Sequence, residues 1–131
     1  MILGINHIGV CVKSIDDFVA VMENAFGAKV IERVSMPDRN QTSCVVEFGT
    51  DGSRYEVMEP IGEEGVVWDY LQKKGQGLHH ISLNVEDIEK DCAELEAKGI
   101  RIIGKTKGLA FTHPKTTGGI LYELTDGTFN D

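Results

Sequence analysis

Two stretches of the chain carry the same alternation of apolar and polar positions. In INHIGVCVKSIDDF, residues 5–18, and GLHHISLNVEDI, residues 77–88, a histidine stands near the start of a run with strand periodicity. Laid on one another, the two pair Ile5 with Leu78, His7 with His80, Ile8 with Ile81, Val12 with Val85 and Ile15 with Ile88. The separation is constant at 73 residues. A helical spacing follows in both. Ile15, Phe18, Met22 and Phe26 recur on one helical face, as do Ile88, Cys92 and Leu95, and the segments stop at Gly27 and Gly99.

The remainder of each half repeats as well. A strand-like run follows each glycine, AKVIERV in the first half and IRIIGKT in the second. Arg54–Tyr55–Glu56–Val57 then corresponds to Leu121–Tyr122–Glu123–Leu124, now 67 residues apart because the intervening loops differ in length. Each half therefore reads β-α-β-β-β, over about residues 5–60 and 78–125. The connector, residues 61–77, holds Val66, Val67, Tyr70 and Leu71 at the spacing of a short helix, with Trp68 and Tyr70 expected to anchor it. No Pro/Ser-rich linker intervenes, and a half of about 60 residues is marginal alone. The expectation is one α+β domain over residues 1–131, two tandem units sharing a core.

Composition narrows the function classes. The 131 residues are 41% hydrophobic and 26% charged, ordinary values for a globular protein. No apolar run approaches the ~18 residues of a membrane span, and MILGINHIGV lacks the basic leader of a secretory signal. Cys11, Cys44 and Cys92 are odd in number and widely spaced, which predicts buried, reduced thiols and a cytoplasmic protein. The formal charge of −8 argues against nucleic acid as a partner.

Side chains alternate faces along a strand, so equivalent positions in equivalent strands point alike. His7 with His80, and Glu56 with Glu123, are such pairs. A lone imidazole on an apolar strand is more often a satisfied core group than a ligand. Its recurrence together with a carboxylate at matching points of both halves favours a shared cleft. There, two imidazoles and two carboxylates without a thiolate suit one divalent ion such as Mn, Co, Ni, Zn or Fe(II). Four such ligands leave room on an octahedral ion for water or a chelating substrate. His79 must face the opposite side of its strand, as a surface or packing residue.

The motifs NHIGVCV, GAKVIE, YEVMEP, KGQGLHHISLNVEDI and FTHPKTTGGILYEL together resemble the vicinal oxygen chelate superfamily, the glyoxalase fold, over nearly the whole chain. GLHHI and the HPK…GG…EL pieces resemble its epimerase members in particular. The resemblance implies metal ligands at His7, Glu56, His80 and Glu123, the same four the repeat selects. It further implies proton abstraction beside a metal-chelated thioester carbonyl of an acyl-CoA, with Glu123 as both ligand and base. Glutathione hemithioacetal isomerases share this ligand set and remain an alternative, as does a non-catalytic small-molecule-binding member. Family members commonly form homodimers.

Inversion needs an acid/base group on each face of a planar intermediate. Glu47 is the candidate for the second. In CVVEFGTDGSRYEVM, Asp51–Gly52 reads as a two-residue hairpin turn that pairs Glu47 with Glu56, and directly opposed residues share a face. A register shifted by one residue would turn Glu47 away. Lys115, with Lys105, Lys107 and Arg101, is a candidate patch for CoA phosphates, weighed against ordinary solvated lysines. The tail TDGTFND lacks periodicity and is assigned no role.

Overall fold

A computed structural model describes residues 1–129, so Asn130 and Asp131 of the tail lie outside the described residues. The elements run β1 (Ile2–Cys11), α1 (Ile15–Phe26), β2 (Lys29–Met36), β3 (Gln41–Glu47), β4 (Arg54–Pro60), α2 (Val66–Lys74), β5 (Gly77–Val85), α3 (Ile88–Ala97), β6 (Ile102–Thr106), β7 (Leu109–Thr112) and β8 (Tyr122–Thr125). Each half is thus β-α-β-β-β, as the repeat predicts, and the connector holds α2. Two compact units divide the described residues, 7–79 and 1–6 with 80–129. The division falls just before His7 and just before His80.

In the unit of residues 7–79 the strands lie in the order β2-β3-β4-β1. β1 runs parallel to β4, with Gly9 opposite Glu56, and β3 is antiparallel to both its neighbours. One face of this sheet carries Val10, Val12, Val46 and Val57 against Ile15 of α1, flanked by Phe18, Val19 and Met22. Helix α1 starts where Ser14 accepts a hydrogen bond from Asp17 N (3.1 Å), and Asp16 and Asp17 complement the positive end of its dipole. It stops at Gly27, whose left-handed φ of 66° a side chain would disfavour. On the other face, α2 lays Val67 and Leu71 over Cys11 and Met58. The connector is anchored by these two aliphatic side chains with Tyr70 packed beside them as expected, while Trp68 is only half-buried.

The second unit repeats the plan, with strand order β5-β8-β7-β6 and β5 parallel to β8. Val85, Ala110 and Leu124 pack under Ile88 and Cys92 of α3, with Leu83, Leu95 and Ile102 beside them. Asp87 caps α3 by accepting from Glu89 N and Lys90 N. The tail also contributes, through Asp126. Its Oδ2 accepts from Ile88 N (3.1 Å), and its Oδ1 accepts from the Thr128 hydroxyl (2.6 Å) and the Thr128 N–H (3.0 Å).

The hairpin between β3 and β4 differs from its expected register. Glu47 pairs with Arg54, and Val45 takes the place opposite Glu56. Phe48 N donates to Ser53 O, so the loop is the four residues 49–52 rather than Asp51–Gly52 alone. Gly49 and Gly52 both adopt positive φ, and Asp51 accepts from Ser53 N (3.0 Å), a wider turn that closes without a two-residue geometry. The slip is two residues, which preserves the face: Glu47, Val45 and Glu56 still point alike.

The Thr128 hydroxyl, with the backbone N–H groups of Thr128 and Ile88, holds the Asp126 carboxyl below its ordinary value. A carboxyl whose folded-state pKa is depressed adds stability in full above its unfolded pKa, about 3.9, and loses it as pH falls through the folded value. Asp126→Ala is expected to cost about 1 kcal/mol at pH 7. In urea denaturation the gap to the parent should shrink towards pH 3; a gap independent of pH would contradict this role.

Candidate functional site

The first half places an imidazole and a carboxylate together. His7 lies two residues before Gly9, on the same face of β1, and Gly9 is in register with Glu56 of β4. His7 Nε2 accordingly sits 3.5 Å from Glu56 Oε1, with side chains 16% and 24% exposed. Cys11, two residues further along the same face, is fully buried. Burial, reinforced by the negative charge of Glu56, pushes its thiol up to about 12. It packs with Met58, Val67 and Leu71 under α2.

The second half builds the same pair. His80 lies two residues before Ser82 on β5, and Ser82 is in register with Glu123 of β8. His80 Nε2 is 3.9 Å from Glu123 Oε2, with side chains 5% and 15% exposed. The Ser82 hydroxyl donates to Glu123 Oε1 at 2.8 Å. His79 points to the other face, as alternation requires, and packs edge-on against Tyr70 at 5.2 Å between ring centres. Burial, partly offset by Glu56, lowers its pKa.

The remaining candidates fall in different places. Glu47 ends β3 on the face of Glu56 but beside Arg54, two positions from where a two-residue turn would set it. Lys115 is exposed on the turn Pro114–Thr116, where its N–H donates to His113 Nδ1 (3.1 Å). Lys105 of β6 is paired with Glu89 of α3 at 2.6 Å, in a surface ion pair. Ser82 is the residue the sequence reading missed. The signal was available: at the 73-residue separation Ser82 matches Gly9, and the halves differ there by a hydroxyl.

Residues 6–114 match the Glyoxalase/Bleomycin resistance protein/Dioxygenase superfamily. The chain belongs to that superfamily and has its vicinal oxygen chelate fold. Among its relatives are epimerases of acyl-CoA thioesters. It is similar to the mitochondrial methylmalonyl-CoA epimerase of Homo sapiens, at 31% identity over 92% of this chain and 72% of that protein. It is similar also to the ethylmalonyl-CoA/methylmalonyl-CoA epimerase of Cereibacter sphaeroides, at 31% identity over 95% of this chain and 98% of that one. Among solved structures, a variant methylmalonyl-CoA epimerase of Streptomyces coelicolor in complex with 2-nitronate-propionyl-CoA superposes with a TM-score of 0.82, at 27% identity, covering 95% of this chain and 96% of that one. No helix among the described residues is long and apolar enough to cross a membrane.

All three cysteines are buried and free. Burial raises Cys44 and Cys92 above the ordinary thiol value, as it does Cys11. A disulfide-exchange reagent at pH 8 should modify none of them in the native protein and all three in denaturant. Fast modification of native Cys11 would refute its protonated, enclosed state.

Proposed function

We propose that this protein is a divalent-metal-dependent epimerase that inverts the α-carbon of methylmalonyl-CoA, acting as a single domain over residues 1–131. The observation that carries the reading is the duplicated imidazole–carboxylate pair, His7 with Glu56 and His80 with Glu123. Its relatives named as epimerases, at about 30% identity over most of the chain, supply the substrate class.

The donor chemistry fits such an ion. Two imidazoles and two carboxylates match Mn, Co, Ni or Zn rather than a soft monovalent metal. In this reading His7, Glu56 and His80 each offer one ligand atom, and Glu123 offers the fourth. When bound, the ion supplies electrophilic stabilisation for negative charge developing on the thioester oxygen.

The protein groups then have separate tasks. A Glu123 carboxylate oxygen accepts the α-proton on one face. Glu47 is the acid/base for the opposite face, returning a proton so that the configuration inverts; the same two steps run in reverse for the other epimer. Lys115 meets an anionic group of the CoA portion. The enclosure of His80, 6% exposed, limits water at the reacting face. Assembly as a homodimer in the cytoplasm completes the reading.

Titration of the metal-stripped protein with Mn(II) or Co(II) is expected to reach about one ion per chain. In deuterated solvent the loaded protein should exchange the α-proton of methylmalonyl-CoA, faster than it isomerises the methylglyoxal–glutathione hemithioacetal measured beside it. Glu123→Gln should lower epimerisation by about 10²–10⁴-fold. Failure to take up Mn, Co or Ni would indicate a non-catalytic binding member, preferential hemithioacetal turnover a glyoxalase-type isomerase, and full activity in Glu123→Gln a different base.

A further inference from the structure

The two halves place their carboxylates by the same construction but surround them differently. In each, a parallel strand pair sets one residue in register with the glutamate: Gly9 with Glu56, and Ser82 with Glu123. Adjacent strands are about 4.8 Å apart, so even a short polar side chain at the register position can reach the neighbouring carboxylate. Gly9 offers nothing there. Ser82 offers a hydroxyl, and it donates to Glu123 Oε1 at 2.8 Å. Ser82 is 0% exposed, so its hydroxyl is shielded from water.

We infer that Ser82 is a positioning residue that sets Glu123, and not Glu56, apart as the proton-transferring carboxylate. This rests on the epimerase reading above. The two oxygens of Glu123 have distinct surroundings: Oε1 receives the Ser82 hydroxyl, while Oε2 is the oxygen nearer His80 Nε2, at 3.9 Å. A carboxylate pinned through one oxygen loses its rotation about the terminal bond, so the other oxygen is held in one direction. A group that must hold a cation and also meet a C–H bond depends on that division, because an ångström of misplacement slows proton transfer steeply. Glu56, assigned ligation alone, sits opposite a residue without a side chain.

The test uses Ser82→Ala, Ser82→Cys, which keeps the volume with a weak donor, and Ser82→Thr, which restores a hydroxyl. Two readouts are taken on the full chain: Mn(II) affinity, and deuterium incorporation into each methylmalonyl-CoA epimer separately. Each acid/base group removes the proton of one epimer only. Misplacing Glu123 should therefore slow incorporation into one epimer by about 10–100-fold, the usual cost of losing an outer-shell partner. At saturating Mn(II) the other epimer should keep its rate within about twofold, since its own base is untouched. Mn(II) affinity should fall in the Ala and Cys variants, and the Thr variant should recover both readouts.

Unchanged incorporation and affinity in Ser82→Ala and Ser82→Cys would overturn the inference. So would an equal loss for both epimers with affinity intact, which is the signature of a packing residue. If the parent protein exchanges neither epimer, the epimerase reading fails instead. The Mn(II) titration then still decides whether Ser82 positions Glu123.

Discussion

The candidate chemistry depends on one backbone constraint, the parallel pairing of the first strand of each half with its last. In β1 and β4 the register sets Gly9 opposite Glu56, and in β5 and β8 it sets Ser82 opposite Glu123. A histidine two residues earlier on the first strand then shares a face with the glutamate and lies one step along it. Both pairs follow from this geometry, His7 with Glu56 at 3.5 Å and His80 with Glu123 at 3.9 Å. A slip of a single residue in either pairing would send the glutamate to the helix-packed face, among Val57 or Leu124. The valine, isoleucine and leucine side chains under α1 and α3 thus fix the chemistry indirectly: they hold the register.

Much of this was legible because duplication gives one sequence two independent statements of each position. The strand–helix–strand cadence, the end of α1 at Gly27, the orientation of His79 away from His80 and the burial of three thiols all follow from periodicity and residue type. Features set by tertiary geometry were not legible. Asp51–Gly52 satisfies a two-residue turn locally, yet the pairing of Phe48 with Ser53 and positive φ at both Gly49 and Gly52 select a four-residue loop. Only because the resulting shift is even does Glu47 keep the face of Glu56. Asp126 escaped notice for a related reason. Its partner Ile88 N is 38 residues away, and nothing in the aperiodic TDG tail announces a helix start so distant in sequence.

Electrostatics divide along the same lines. The chain carries a net −8, yet the carboxylates with assigned work are few and individually held. Asp16 and Asp17 sit at the positive end of α1, Asp87 caps α3, and Glu59 accepts from Ile15 N at 2.9 Å. Lys105, grouped by sequence with Lys115 as a phosphate-binding candidate, is instead engaged by Glu89. A basic residue near a motif says little about its availability, since an acidic surface offers it partners close at hand. The thiol of Cys11 shows the converse effect: out of water and beside the charge of Glu56, its pKa is raised.

The central claim is that one imidazole from each half serves a single cation. Electron spin-echo modulation of the Mn(II)-loaded protein, with histidine labelled by 15N, counts the ring nitrogens bound to the ion. The account predicts two, falling to one in either His7→Ala or His80→Ala and remaining two in His79→Ala. One nitrogen or none in the parent protein would contradict it.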